Sequence, residues 1–309
     1  MISSPVTKFP VAKILVCVAE GAASDHAVRA AAMLATASGA KVDLLHVVEP
    51  ILAPSRRYMT VTGPDISHTH AENVQARLRE HLAREFASVR LNGKPVEQAL
   101  ETAIGAPSRV VLERSAHYDL VFVGESGRRK QLDFGGLARA LFAHCTTPLW
   151  IQVDAPRAVE RILAPTDLSP KSLEVLQRAV AFAKPLGAKV TALHCFVAPE
   201  IFAGPEGAAA IPSPTYTIDS LREAEQRDFA KTMDEFDWRG VAHEVVFAQD
   251  DPARRILASQ DNFDLIVLGS HGQSALLASV LGSVAWRVLR MAHTGMLLVR
   301  TPGGYALGS

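Results

Sequence analysis

Apolar residues in this chain come in short runs of about five, separated by stretches in which they recur every third or fourth position. In the second half, Arg161 to Pro165 reads as a short strand. Ser169-Pro170 then reads as a helix cap followed by proline in the first turn. Leu173, Leu176, Val180 and Ala183 follow at helical spacing, and Gly187 supplies the stop. A second strand is predicted over Val190 to Phe196, a loop rich in Gly, Ala and Pro over Ala198 to Pro214, and a charged amphipathic helix over Ile218 to Phe236. Val241 to Phe247 is the third strand, and Asp251-Pro252 caps a short helix. The fourth strand is Asn262 to Gly269, a helix runs from Ser283 to Arg290, and Met296 to Val299 is the fifth strand. In the first half, Val74, Leu78, Leu82, Phe86 and Val89 form one apolar stripe, read as core packing. Strands alternating with helices imply a parallel sheet covered on both faces, with ligands at the carboxyl ends where strand order reverses.

The pattern occurs twice. Gly39-Ala40-Lys41-Val42 returns as Gly187-Ala188-Lys189-Val190, Leu45-His46 as Leu193-His194, and Ile14-Leu15 as Ile162-Leu163. Asp119-Leu120-Val121 and Gly124-x-x-Gly127 return as Asp264-Leu265-Ile266 and Gly269-x-x-Gly272, three residues closer, so the first half has the longer middle loop. A period this long means two whole domains rather than a solenoid. They are placed at 1–154 and 158–309, on either side of Asp154-Ala155-Pro156-Arg157. The expected fold class is α/β: two tandem doubly wound domains, each a five-stranded mostly parallel sheet with helices on both faces.

Composition narrows the function. The chain is 48% hydrophobic with a formal net charge of +0, so nothing marks it for nucleic acid or an anionic membrane. No apolar run spans a bilayer, and MISSPVTKFP lacks a signal-peptide core, so a cytoplasmic protein is expected. Cys17, Cys145 and Cys195 make no disulfide framework, and Cys17 and Cys195 fall in predicted strands as small hydrophobes.

The candidate chemistry lies in DLIVLGSHGQSALLASVLGSVAWRVL. A strand enters a glycine loop (Gly269, Gly272), and Gly282-Ser283 opens a helix whose free N–H groups and positive dipole end favour phosphate. Ile162 to Ser169, Leu193-His194-Cys195 and Gly269-x2-Gly272-x9-Gly282-Ser283 together resemble the universal stress protein family. The resemblance covers nearly the whole chain, twice, and implies an adenine-nucleotide-binding fold, often dimeric, tied to stress survival. By resemblance, Pro165, Thr166 and Asp167 form the adenine-side turn and Cys195 a small apolar wall. Gly269, Ser270, His271, Gly272 and Gln273 would wrap ribose and phosphates, and Gly282, Ser283 and Val284 would hold the terminal phosphates. The implied cofactor is ATP with Mg. Gly295 stands where the family commonly has proline, and Asp250 where it often has glycine.

The first half departs further. Ala19 occupies the aspartate position, Gly135 and Gly136 come early with Gly136 on the serine position, and Arg128-Arg129-Lys130 fill the loop. The expectation is a retained fold without standard ATP binding. Plainer readings stand beside these. Asp167 serves as a turn residue, Ser283 as a helix cap, His46 and His194 as satisfied core histidines, and His68 and His70 as residues of a solvated loop. No Walker A pattern is present, which favours a nucleotide-responsive protein over a slow ATPase or nucleotidyl-transfer enzyme, with His271 the one side chain placed for chemistry. A scaffold that binds no nucleotide is the third reading. Leu149 to Val153 and Met296 to Val299 are expected to meet as an internal pseudo-dimer, with a homodimer open. No nucleic acid or membrane partner is expected.

Overall fold

A computed structural model describes residues 11–50, 64–125, 136–198, 218–270 and 282–300. The first half runs β1 (Lys13–Cys17), α1 (Ala22–Ser38), β2 (Lys41–Val48), α2 (Pro64–Glu85), β3 (Arg90–Leu91), β4 (Lys94–Pro95), β5 (Leu100–Ile104), α3 (Pro107–Ser115), β6 (Leu120–Gly124), α4 (Gly136–His144) and β7 (Leu149–Gln152). The second runs β8 (Arg161–Pro165), α5 (Pro170–Leu186), β9 (Lys189–Phe196), α6 (Ile218–Glu235), β10 (His243–Gln249), α7 (Pro252–Ser259), β11 (Leu265–Gly269), α8 (Ser283–Met291) and β12 (Gly295–Val299).

Ten strands form one sheet in the order β10-β9-β8-β11-β12-β7-β6-β1-β2-β5. Each half is a parallel five-stranded doubly wound unit. The strands read as continuous apolar runs because helices cover both faces. Apolar side chains of α1, α2, α5 and α6 fill the core on one face, and those of α3, α4, α7 and α8 fill it on the other.

The repeated motifs have structural causes. Gly39 and Gly187 end α1 and α5 in the left-handed region, at φ 72 and φ 65, where a side chain is costly. The repeated aspartates cap strand starts. Asp119 Oδ2 accepts from the N–H groups of Ala12 and Lys13, and Asp264 Oδ2 from those of Glu160 and Arg161, all at 2.9–3.0 Å.

Some boundaries differ from the sequence reading. Pro64-Asp65 opens a helix rather than a loop, so His68 and His70 lie exposed in the first turns of α2. Proline suits the first helical turn because its missing N–H is not needed there. The third strand of the second half starts at His243, because the Val241 N–H is spent closing the turn onto Trp238 O at 2.9 Å. The loops over Ala198 to Pro214 and Arg128 to Lys130, with Gly127 and Gly135, lie outside the described residues apart from Ala198. No helix among the described residues is long and apolar enough to cross a membrane.

The halves join where β7 and β12 run antiparallel, with Met296 opposite Ile151, Leu297 opposite Trp150 and Leu298 opposite Leu149. Buried Trp150 stacks on Phe122 of β6 at 4.9 Å and leans on Phe182 of α5, across the seam, at 5.5 Å. Its indole N–H donates to Gln152 Oε1 at 2.9 Å. Trp150→Ala is expected to cost about 3–5 kcal/mol in chemical denaturation, the range for emptying a large aromatic site. Because the indole touches both halves, the loss should appear as one transition shifted to lower denaturant rather than the early melting of one half.

Candidate functional site

In the second half, strand order reverses between β8 and β11, and a cavity of about 370 Å³ opens at their carboxyl ends. Pro165, Thr166, Asp167, Cys195, Gly269, Gly282, Ser283 and Val284 all line it, although they are drawn from four separate stretches of the chain. His271, Gly272 and Gln273 lie outside the described residues. Ser270 is fully buried and forms the neck of the glycine loop instead of its wall. Its N–H donates to Val299 O at 3.0 Å, and its carbonyl accepts from Gly282 N–H at 2.8 Å.

The turn after β8 is held from several sides. Thr166 N–H donates to Leu193 O at 2.8 Å, and buried Thr166 Oγ1 accepts from Leu168 N–H at 3.1 Å and meets Ser172 Oγ at 2.9 Å. Asp167 Oδ1 accepts from both the N–H and the hydroxyl of Ser169, and Ser169 Oγ in turn caps α5 by accepting from Ser172 N–H at 3.2 Å. The turn role of Asp167 is therefore real. Leu168 sits at φ 62, a conformation that costs a bulky residue of order 1–3 kcal/mol and that clusters at ligand sites.

The other side of the cavity is the start of α8. Gly282 is the cap and Ser283 the first helical residue, so Ser283 is not the cap that its residue type suggested. Gly282 has no side chain with which to cap this helix, and its first turn, with the positive dipole end, borders the cavity. Asp251 caps α7 by accepting from Arg254 N–H at 2.8 Å and pairs with Arg287 of α8 at 2.8 Å, tying the two helices together. Asp250 does not crowd the site. Arg254 binds its carboxylate, holding it below the usual carboxylate range, and the residue is no part of the cavity wall.

The walls include residues that the sequence reading did not select. Val175, Leu193, Ile256 and Leu268 give the cavity apolar sides, and Pro252 and Ala285 complete the helix-start rim. His194 also lines it. Its Nδ1 is 2.8 Å from Thr166 O and its Nε2 is 2.7 Å from Glu225 Oε1. The available signal was the Leu-His repeat, since His46 Nδ1 meets Val18 O in the same way at 2.7 Å.

The matching place in the first half is built differently. Ala19 offers only its N–H, donated to Ser24 Oγ at 2.8 Å. A Cβ on Gly124 would lie 1.9 Å from Ala23 O, so this glycine survives because the first turn of α1 rests on its backbone. Gly136 opens α4.

A larger cavity of about 550 Å³ lies at the seam under the linker 154–160, between α1 and the end of α5. Its lining carries three carboxylates (Asp154, Glu160, Asp264) beside Arg157, whose guanidinium pairs with Asp264 at 3.1 Å, and Pro185 and Leu186 present the negative end of α5. Among the described residues, no group of His, Cys, Asp or Glu is arranged to hold a metal ion.

Comparison with known proteins bears on the family and the fold. The universal stress protein family profile matches residues 10–152 and again 158–300. A universal stress protein of Mycolicibacterium smegmatis is 27% identical, covering 93% of this chain and 96% of that protein. One from Methanocaldococcus jannaschii is 33% identical over 46% of this chain and 83% of its own length. The crystal structure of a universal stress protein from Archaeoglobus fulgidus superposes with a TM-score of 0.65, at 16% identity over 94% of this chain and 99% of that one, which speaks to the fold alone.

Cys195 offers a direct probe of the cavity wall. Burial, and then the nearby Asp250 carboxylate, push its thiol up to about 11, so near neutrality it is a protonated, apolar wall rather than a nucleophile. Alkylation of Cys195, followed by peptide mass mapping, is expected to be slow at pH 7 and to accelerate toward pH 11, well above the midpoint of an ordinary thiol.

Proposed function

The chain belongs to the universal stress protein family, with one copy of the family domain in each half, and on that premise we propose that it binds one ATP, in the second half only. Its role is in stress response, exerted through nucleotide-dependent conformation or partner binding in the cytoplasm. The observation that carries the reading is the convergence of Pro165-Thr166-Asp167, Cys195 and Gly282-Ser283-Val284 on one cavity at the strand-order reversal.

The residues suit such a ligand. Val175, Leu193, Ile256 and Leu268 make an apolar slot for a purine ring beside a carboxylate that can accept from the nucleoside. The first turn of α8 supplies N–H donors for phosphate, as helix starts do for anions. Magnesium would travel on the phosphates. Two features favour binding over catalysis. Both ring nitrogens of His194 are engaged, and the Cys195 thiol is protonated near neutrality, so neither is poised as base or nucleophile.

Calorimetric titration with ATP and magnesium should give one equivalent bound per chain, recovered unchanged. Recovery as ADP would put the ATPase reading first, and no binding would leave the scaffold. Asp167→Ala is expected to weaken binding by about tenfold or more, the effect of losing one charge-assisted hydrogen bond. Gly282→Val should be at least as severe, because it places a branched side chain where phosphate meets the helix start.

A further inference from the structure

We propose that Glu225 of α6 is a positioning residue for the nucleotide turn, acting through His194, and that it couples nucleotide occupancy to the docking of α6. The proposal rests on the ATP reading above. Its basis is a chain of contacts: Glu225 Oε1 to His194 Nε2 at 2.7 Å, then His194 Nδ1 to Thr166 O at 2.8 Å, inside the turn that carries Asp167.

The arrangement is unusual in three respects. First, the ring is held at both nitrogens by oxygens from two different elements, a main-chain carbonyl of the turn and a carboxyl group of α6. It is buried, stacked on Phe229 at 5.4 Å and packed against Phe247 at 5.7 Å, so water has little access to compete for these bonds. Second, Glu225 interrupts an apolar stripe. It lies one helical turn before buried Phe229 and Met233, while α2 carries Val74, Leu78 and Leu82 at the same spacing. His46 keeps the carbonyl bond in the first half, where the aspartate is Ala19. Third, α6 is lightly held. Of its eighteen residues only Phe229 and Met233 are buried, against eight in α5, so one buried polar anchor weighs heavily in its docking.

Removing the carboxylate takes away the partner that fixes the ring, and the Thr166 carbonyl loses a fixed donor. The turn presenting Asp167 loosens, and nucleotide then has to order it on binding. Linkage makes the effect reciprocal: nucleotide that orders the turn strengthens the attachment of α6 by the same factor. The helix would report occupancy at the protein surface.

The test measures Mg-ATP binding by calorimetry in the full chain and in Glu225→Ala and Glu225→Gln, together with amide hydrogen exchange of α6 with and without ATP. Glu225→Ala should bind about five- to tenfold more weakly, the lower part of the usual coupling range. Glu225→Gln should recover most of that loss, since its amide can still hydrogen-bond Nε2 as acceptor or donor. ATP should slow exchange in α6 of the unmodified chain and have no such effect in Glu225→Ala. A purely structural glutamate would loosen α6 equally with and without ATP and leave affinity unchanged, and that result overturns the proposal. If the unmodified chain binds no ATP, the nucleotide reading falls together with this one. If it binds and Glu225→Ala matches it, only the positioning role falls.

Discussion

The antiparallel pairing of β7 with β12 is the contact on which the rest of the molecule depends. Each half alone would end in an apolar strand whose unpaired N–H and C=O groups invite association. Pairing them turns two exposed edges into the middle of one ten-stranded sheet and buries Trp150 between the halves. The antiparallel sense has a second consequence. Parallel strands within a half all end on one side, so the antiparallel join points the carboxyl ends of the two halves at opposite edges of the sheet. The turns after β1 and β8 therefore cannot share a ligand, and the chemistry of one can differ from that of the other without disturbing it.

The halves show what such freedom permits. Both keep the strand order, the glycine-ended helix, the aspartate that caps the first strand and the histidine that holds a turn carbonyl. These shared features serve the fold. What differs is the polar chemistry of the turn: Thr166 and Asp167 in one half, Val18 and Ala19 in the other. A glycine common to both halves is not evidence of a common ligand. Gly124 is required because the backbone of α1 lies where its side chain would be.

Much of this was legible from the sequence, because the period of the apolar pattern and the glycine stops report local geometry directly. The alternation of strands and helices, the two halves and the α5 and α7 caps at Ser169 and Asp251 all follow from short-range rules. The errors arose where one residue had two local uses. Gly63-Pro64-Asp65 suits a turn or a helix start, and only the helix that follows decides. Ser283 suits a cap, but the backbone of Gly282 took that place. What the sequence hid altogether was long-range. His194 looked like a core histidine and is one, yet its two nitrogens join a turn and a helix that are 28 and 31 residues away. Nothing in composition or spacing announces a contact at that separation. The αL conformation of Leu168 was equally silent, since leucine is a residue no turn rule would place there.

That strained leucine bears on how the cavity works. A bulky residue at φ 62 persists only where its surroundings over-determine it, and here they do: Thr166 Oγ1 takes its N–H, Asp167 and Ser169 lock the next step, and the side chain packs on the core. The folded chain has therefore met part of the cost of ordering the turn, and a ligand that uses it gives up less of its own binding energy to ordering. The opposite rim relies on a different principle, since the Ser270–Gly282 bond pins the neck of the glycine loop and sets the start of α8 whatever the rest of the loop does. Two independently fixed rims, one rich in acceptors and one in donors, suit a ligand that is a hydrogen-bond donor at one end and an anion at the other. The seam cavity is larger, but its Arg157 is paired with Asp264 beside two further carboxylates and a helix carboxyl end, so volume alone is the wrong guide to where an anionic ligand would sit.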